Sequence, residues 1–266
     1  MRSPQVSYST RSDVGRVRRN NEDNLFCCGE FMSEETRNLP FKMTGEIIAP
    51  TVFAVCDGMG GYQSGEQASL IAVKVLSEFA CRLIESPVDQ LDDLMKTYVT
   101  DTNIAIQQAI VDRSTKMGTT LALVIVLCDE IHAYNIGDSR VYALDKHNFR
   151  QISVDHTLSM MKIKTGEYTE AQARQSDDWH KLTACLGFLD DEGNDYFCEV
   201  ATPLKIAKKT RLLLCSDGLT DMLTDDSIER VLRSSKKTEQ AAGNLISEAL
   251  NNGGIDNVTL IVIDVG

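Results

Sequence analysis

The order of apolar segments constrains the fold of this chain more than any single motif, because two pairs of helix-like segments interrupt a series of short strand-like runs. Apolar residues recur at helical spacing over 68–83 and again over 91–109, and Pro87 separates the two segments. A second helical pair is predicted at 226–233 and 238–250. Short β-branched runs bounded by Gly, Asp or Asn predict buried strands at 51–56, 119–128, 131–136, 140–144, 211–215 and 258–265.

This order predicts a layered α+β fold. Strict alternation of strands and helices would indicate a parallel sheet, whereas helix pairs inserted between consecutive strands fit antiparallel sheets with helices on their outer faces. We expect a four-layer α/β/β/α sandwich of two mostly antiparallel sheets flanked by helix pairs, in a single domain over residues 1–266. The segment from about 157 to 181 is polar and rich in helix formers, so it is expected to form an inserted helical flap.

Charge and hydropathy narrow the range of partners. The formal net charge of −12 disfavours binding to nucleic-acid backbones or anionic membranes, since both need clustered Lys and Arg. Neither a signal-peptide core nor an apolar run of membrane-spanning length is present in the sequence. Most of the eight cysteines lie in apolar runs, which is typical of buried free thiols in a reducing compartment. We therefore expect a cytoplasmic protein that binds neither nucleic acid nor membrane.

Four carboxylates occur where an apolar strand meets a turn, at Asp57, Asp138, Asp217 and Asp256. An isolated Asp-Gly is most often only a turn, but several carboxylates at the rim of one core repel each other and are costly to desolvate, so they imply a compensating cation. Oxygen ligands without His or Cys select Mg²⁺ or Mn²⁺. Two such ions about 3.5–4 Å apart can activate a water and hold phosphoryl oxygens. The residues alone thus predict a two-metal hydrolase acting on a phosphate.

Short motifs in a fixed order extend over nearly the whole chain. They are Asp13-Val14-Gly15-Arg16-Val17-Arg18-Arg19-Asn20-Asn21-Glu22-Asp23, Asp57-Gly58-Met59-Gly60-Gly61 with Gly65-Glu66, Gly118-Thr119-Thr120, Gly137-Asp138-Ser139-Arg140, Asp155-His156-Thr157, Leu182-Thr183, Leu186-Gly187, Ser216-Asp217-Gly218-Leu219-Thr220-Asp221 and Asp256-Asn257. In this order the chain resembles the metal-dependent serine/threonine protein phosphatases of the type 2C (PPM) family, in their bacterial form.

The resemblance implies a Mg²⁺- or Mn²⁺-dependent enzyme that hydrolyses phosphoserine and phosphothreonine in proteins with a metal-bound water as nucleophile. It implies two ions, with a third at a weaker site. Partners would be phosphorylated protein substrates, with the enzyme opposing a serine/threonine kinase and acting as a monomer.

The resemblance also implies a role for individual residues, chiefly as metal ligands. Asp57 would bridge both ions, the Gly58 carbonyl would bind one of them, and Asp217 and Asp256 would bind the other. The remaining candidates are Glu22 and Asp23, holding metal-bound waters, and Asp138 with Asp217 and Asp221, forming the third site.

Arg18 matches the family arginine that binds the substrate phosphate, and a guanidinium fork suits that bidentate contact. Arg18, Asp57 and Asp217 are therefore the expected catalytic residues. Arg140 is interpreted as structural, and His156 is given no catalytic role.

Two positions depart from the family pattern. Met59 stands where many eukaryotic members carry a histidine proposed to protonate the leaving group, and a thioether cannot donate that proton. Ala184 and Cys185 follow Leu182-Thr183 where bacterial members commonly have an arginine and a small residue. The departures concern leaving-group protonation and substrate contact near the flap.

Two alternatives remain at this point. A catalytically silent relative would keep the fold and bind phosphoproteins, but such proteins usually lose metal ligands, whereas each expected carboxylate is present here. Another two-metal phosphoester hydrolase, such as a nuclease or nucleotide hydrolase, would need a basic groove or a phosphate-cradling Gly-rich loop, and the sequence contains neither.

Overall fold

Two antiparallel sheets form the centre of the fold in a computed structural model that describes residues 3–60, 65–111, 116–189, 193–206 and 209–266. Strands and helices are numbered in chain order over these residues. The first sheet has the strand order β10 (Phe149–Gln151), β9 (Arg140–Leu144), β13 (Thr210–Cys215), β14 (Val258–Val265), β1 (Gln5–Asp13) and β4 (Phe41–Ile48). The second has the order β11 (Glu199–Val200), β8 (Glu130–Ile136), β7 (Leu121–Val126), β5 (Thr51–Gly60), β2 (Asp23–Cys27) and β3 (Glu30–Phe31), with β12 (Leu204–Lys205) beside β8 and β6 (Met117–Thr119) beside β5.

Side chains alternate between the two faces of β5, as the period of a strand requires. Phe53 and Val55 point into the layer between the sheets, where they meet residues such as Leu214 and Ile263. Ala54 and Cys56 point the other way, into a second apolar cluster beneath the helices. Burial on both faces explains why this strand is a continuous apolar run in the sequence.

Helices cover the outer face of each sheet. On the second sheet lie α1 (Gly65–Glu85) and α2 (Leu91–Ala109), joined through Pro87 and a 3₁₀ turn at Val88–Gln90. Beyond the flap, α5 (Asp217–Thr220), α6 (Asp225–Ser234) and α7 (Thr238–Asn251) pack on the first sheet through residues such as Leu219, Leu232 and Leu245. The four-layer α/β/β/α sandwich predicted from the sequence is confirmed.

The segment between β10 and β11 carries two short helices, α3 (Leu158–Lys164) and α4 (Glu170–Ala173). Thr157 caps the first by accepting a hydrogen bond from the Met160 N–H, and Thr169 forms a capping box with Gln172 at the second. The predicted helical flap insertion is therefore present, while its limits near 157 and 181 and the single domain over 1–266 stay predictions. Among the described residues, no helix has the length and apolarity needed to cross a membrane.

Four strands near the start of the chain, β1 to β4, were not predicted. β1 and β4 pair along their whole length and carry many polar residues, so tertiary pairing rather than apolar content forms them. The strand predicted over 119–128 is wrong as a single element. It divides at Thr120, whose N–H donates to the Asp57 carbonyl at 2.8 Å, and β6 and β7 lie on either side.

Candidate active site

The centre of the site lies where β2 and β5 run side by side, with Asp23 directly opposite Asp57. The Asp57 N–H donates to Thr120 Oγ1 at 2.9 Å, and the Thr119 hydroxyl donates to the Asp57 carbonyl at 2.9 Å. Asp23 is 1% exposed, and its Oδ2 accepts a hydrogen bond from the Ser216 hydroxyl at 2.8 Å. The strand pairing thus holds two carboxylates together at the edge of the core.

Asp217 joins them from the other sheet, at the first residue of α5. Ser216 precedes it and accepts a hydrogen bond from the Thr259 N–H at 3.0 Å, which ties the start of α5 to β14. Behind it, Gly218 packs so closely that a Cβ there would lie 1.9 Å from the Asn257 carbonyl oxygen. Only glycine permits this approach of α5 to the 256–257 turn.

Asp256 and Arg18 meet at the rim, where Arg18 Nη2 donates to Asp256 Oδ2 at 2.6 Å. The neighbouring Asn257 holds the N-terminal loop in place, since its Nδ2 donates to the Val14 and Asn20 carbonyls and its Oδ1 accepts from the Glu22 N–H at 2.8 Å. Asn257 belongs to one of the sequence motifs, but no role was predicted for it. Its amide is what brings Arg18 and Glu22 to the site.

Gly58 makes a second close approach of backbones. A Cβ at Gly58 would lie 2.1 Å from the Gly65 carbonyl oxygen and 2.5 Å from that of Glu22. The Gly58 N–H donates to the Glu22 carbonyl at 3.1 Å. The loop carrying Glu22, the end of β5 and the start of α1 therefore converge at one point. Gly61, the last residue of that motif, lies outside the described residues.

Asp138 and Asp221 extend the cluster toward the flap, where His180 faces them. His180 Nδ1 lies 3.6 Å from Asp217 Oδ2, and its Nε2 lies 3.7 Å from Asp221 Oδ2. His180 was not predicted as a site residue, because no motif marks it and only the fold of the flap brings it to these carboxylates. The only available signal was the position of this histidine within the segment predicted to form an inserted helical flap.

Electrostatic repulsion within the cluster is visible in its pKa values. Burial, reinforced by neighbouring carboxylates, raises the pKa of Asp57 and of Asp138 well above the usual range, and raises that of Asp23 to about 7 and that of Asp221 to about 6. Burial also opposes ionisation of Asp217, but contacts from His180 and Asp57 outweigh it and lower the pKa of Asp217. Neighbouring carboxyls thus differ in protonation, as expected where like charges are crowded.

A divalent cation fits this donor set. Oδ1 of Asp23 and Oδ1 of Asp217 are buried without a hydrogen-bond partner among the described residues, and buried oxygens of this kind are costly unless something binds them. The central donors are carboxylate and main-chain oxygens, which suit Mg²⁺ or Mn²⁺. A cation would also relieve the repulsion that raises the pKa of Asp57.

Other residues singled out from the sequence lie around the centre. Arg140 is buried and forms a bidentate ion pair with Asp155, with Nη2 at 2.6 Å from Oδ2, which makes it structural as interpreted. His156 Nδ1 accepts a hydrogen bond from the Gly137 N–H at 3.2 Å, and burial lowers the pKa of this histidine. Cys185 is buried beside Gly118, so it offers no surface contact to a substrate.

Comparison with known proteins identifies the family of this site. A family model described as protein phosphatase 2C matches residues 47–252. The serine/threonine phosphatase Stp of Listeria monocytogenes serotype 4b is 32% identical over 96% of this chain and 94% of its own. The crystal structure of the Mycobacterium tuberculosis serine/threonine phosphatase PstP/Ppp is 30% identical, covers 98% of both chains and superposes with a TM-score of 0.79. A structure of the PstP catalytic domain in complex with two manganese ions covers 98% of this chain and 99% of its own, at 30% identity and a TM-score of 0.78. The chain therefore belongs to the protein phosphatase 2C family.

Proposed function

We propose that this protein is a Mn²⁺- or Mg²⁺-dependent protein serine/threonine phosphatase, a phosphoric monoester hydrolase acting on phosphoserine and phosphothreonine. The observation that carries the proposal is the cluster of Asp23, Asp57 and Asp217 near the Arg18–Asp256 ion pair. Within this cluster, Oδ1 of Asp23 and Oδ1 of Asp217 have no hydrogen-bond partner among the described residues. A divalent cation and a phosphate are the two ligands that such a combination of carboxylates and a guanidinium can hold together.

Two ions would be held by Asp57, the Gly58 carbonyl, Asp217 and Asp256, with Glu22 and Asp23 binding waters around them. Asp138, Asp217 and Asp221 would hold a third. The similarity to the PstP catalytic domain, whose structure contains two manganese ions, supports the binding of two ions. When bound, the ions supply a water of lowered pKa as the nucleophile and neutralise charge on the phosphoryl oxygens.

Arg18 binds and orients the substrate phosphate. Its side chain is 52% exposed, so a phosphate can approach it from solvent, and its contact with Asp256 fixes the guanidinium next to the carboxylates. Asn257 keeps the loop of Arg18 at this position through its hydrogen bonds to Val14 and Asn20. Positioning of the phosphate against the nucleophile is the main task left to the protein in phosphoryl transfer.

The substrates would be phosphorylated proteins, and the enzyme would oppose a serine/threonine kinase in the cytoplasm as a monomer. The similarity to proteins named serine/threonine phosphatases supports the substrate class. All eight cysteines are free, which favours a reducing compartment.

Phosphate release separates this proposal from its alternatives. We expect the protein to release phosphate from a phosphothreonine peptide and from p-nitrophenyl phosphate with Mn²⁺ and not with EDTA, and the Asp217→Asn variant to release none. Binding of the peptide without release would identify a silent phosphoprotein-binding relative. Metal-dependent cleavage of DNA would instead identify another phosphoester hydrolase and overturn the proposal.

A further inference from the structure

Two large apolar side chains are exposed next to the Arg18–Asp256 ion pair. Val17 immediately precedes Arg18 and is 66% exposed, and Ile255 immediately precedes Asp256 and is 51% exposed. A single exposed apolar residue is ordinary on a protein surface. Here each of the two is the chain neighbour of one member of the ion pair, so both have a fixed place relative to a phosphate bound at Arg18.

A main-chain hydrogen bond brings these two apolar residues close together. The Arg16 N–H donates to the Gly254 carbonyl at 2.7 Å, and these two residues directly precede Val17 and Ile255. Standard bond lengths then limit the distance between the Cα atoms of Val17 and Ile255 to about 10 Å, which about three residues of an extended chain cover. One short stretch of a substrate chain can therefore contact both side chains.

The loop that presents Val17 is held on both sides of this residue. On one side, Arg16 Nε donates to the Leu250 carbonyl at 2.6 Å. On the other, the Arg18 guanidinium donates to Asp256. Little conformational freedom of the loop is lost when a ligand covers Val17, so apolar contact at this place adds to affinity.

The size of the apolar surface suits a peptide rather than a second folded protein. Two side chains of the size of Val17 and Ile255 offer no more than roughly 200 Å² of apolar surface. A stable interface between folded proteins buries about 1,200–2,000 Å² in total. A phosphopeptide needs less apolar contact, because its phosphate supplies charge-assisted hydrogen bonds at Arg18.

We propose that Val17 and Ile255 form an apolar recognition site for the substrate residues that flank the phosphoserine or phosphothreonine, so that the enzyme prefers phosphoproteins with apolar side chains at these positions. The inference rests on the proposed function, because it takes the substrate phosphate to bind at Arg18. It assigns Val17 and Ile255 to specificity and not to catalysis, since neither side chain can donate or accept a proton.

The test compares two phosphothreonine peptides that differ only in the residues flanking the phosphothreonine, which are leucine in one peptide and serine in the other. The variant carries Val17→Thr and Ile255→Thr together, which keeps a β-branched side chain at both positions and replaces apolar groups with a hydroxyl. Both positions are exposed, so the fold should be kept, and thermal unfolding checks this.

The matched control is Val88→Thr, which makes the same change at another valine that is 46% exposed. Val88 follows the last turn of α1, whereas the first residue of α1, Gly65, lies beside Glu22. A helix of 21 residues is about 30 Å long, so Val88 is remote from the ion pair.

The wild type should hydrolyse the leucine peptide with a kcat/KM at least about fivefold above that for the serine peptide, because apolar contacts of this size discriminate to about this extent. In the double variant the ratio should fall below about twofold, through a higher KM for the leucine peptide. KM for the serine peptide should stay as in the wild type. Val88→Thr should keep the wild-type values for both peptides.

Equal kcat/KM for the two peptides in the wild type would overturn the inference and leave the proposed function standing. A double variant that keeps the wild-type ratio, or loses activity equally on both peptides, would overturn it as well. A wild-type dimer that the double variant converts to a monomer in light scattering would assign Val17 and Ile255 to self-association instead. Release of phosphate from neither peptide would contradict the proposed function, and calorimetric binding of the two peptides would then test the recognition site separately.

Discussion

Arg18 and Asp256 are 238 positions apart in the sequence, yet Arg18 Nη2 donates to Asp256 Oδ2 at 2.6 Å. Both residues lie outside the segment 47–252 that matches the family model. Residues near both ends of the chain therefore contribute to the candidate site. Asp256 precedes β14 and Arg18 follows β1, and these strands pair along their length. The strand pairing therefore determines whether Arg18, the proposed phosphate ligand, lies next to Asp256, a proposed metal ligand.

Replacing Arg18 should affect substrate binding more than turnover. We expect Arg18→Ala to raise KM for a phosphothreonine peptide by about tenfold or more and to lower kcat by less, because the contact to phosphate exists already in the ground-state complex. Stability should change by no more than about 0.5 kcal/mol, since the ion pair is partly exposed. Steady-state kinetics measure this, with the exposed neighbour Arg19→Ala as the control. An unchanged KM with a collapsed kcat would assign Arg18 to the transition state instead.

Replacing Asp57 should abolish turnover and yet stabilise the metal-free protein. Asp57→Asn removes a proposed metal ligand, and it also removes a carboxyl whose pKa is raised well above its usual range by burial and by Asp23. Without metal, we expect a gain of about 1 kcal/mol, or about 2–4 °C in Tm. Thermal unfolding in EDTA measures this, and the exposed Asp129→Asn should change neither Tm nor activity. A lower Tm in EDTA for Asp57→Asn would contradict the electrostatic account.

Removing the metal should make stability depend on pH. The folded-state pKa values of Asp23, Asp221 and His180 are raised to about 7, 6 and 9. A raised pKa contributes stability that is complete below the unfolded value and is lost as pH rises through the folded value. The Tm in EDTA should therefore fall between about pH 5 and pH 9. Melting curves with saturating Mn²⁺ should show a smaller fall, because the cation compensates the ionised carboxylates. If Tm falls with pH by the same amount in Mn²⁺ and in EDTA, the proposed metal ligands are wrong.

Alanine substitutions at two glycines should change the stability of the protein in opposite directions. A Cβ at Gly218 would lie 1.9 Å from the Asn257 carbonyl oxygen, so Gly218→Ala must separate α5 from the 256–257 turn and should destabilise the protein and lower activity. A Cβ at Gly243, inside α7, would have nothing within 4 Å. Gly243→Ala should stabilise by about 0.5–1 kcal/mol through helix propensity. Chemical denaturation measures whether the free energy of unfolding falls in Gly218→Ala and rises in Gly243→Ala.

Met59 offers a test of leaving-group protonation. It follows Gly58 in β5 and is only partly buried. A histidine there could donate a proton, which the alkoxide of serine or threonine needs and p-nitrophenolate does not. Met59→His should therefore raise kcat for a phosphothreonine peptide relative to p-nitrophenyl phosphate over about pH 6–8.5, where imidazole titrates. If the ratio of the two kcat values stays constant, position 59 does not reach the leaving oxygen or another donor already protonates it.

Regular apolar patterns in the sequence predicted much of the fold. The strands Arg140–Leu144 and Val258–Val265 have the predicted bounds, and the ends of the paired helices differ from prediction by at most three residues. β1 and β4 were missed because their polar residues give no continuous apolar run, and their pairing depends on distant segments. The break at Thr120 was missed because it arises from hydrogen bonds to Asp57 rather than from a turn residue.

By itself, the sequence determined the types of chemical group at the site, since carboxylates at strand ends and an arginine near the N-terminus are local features that short motifs reveal. Tertiary structure alone decided which of these groups meet. Asp23 faces Asp57 through the register of β2 and β5, Asn257 anchors the loop of Arg18 through its amide, and His180 approaches Asp217 through the fold of the flap. Each contact joins residues far apart in the chain, and local propensity carries no information on such distances.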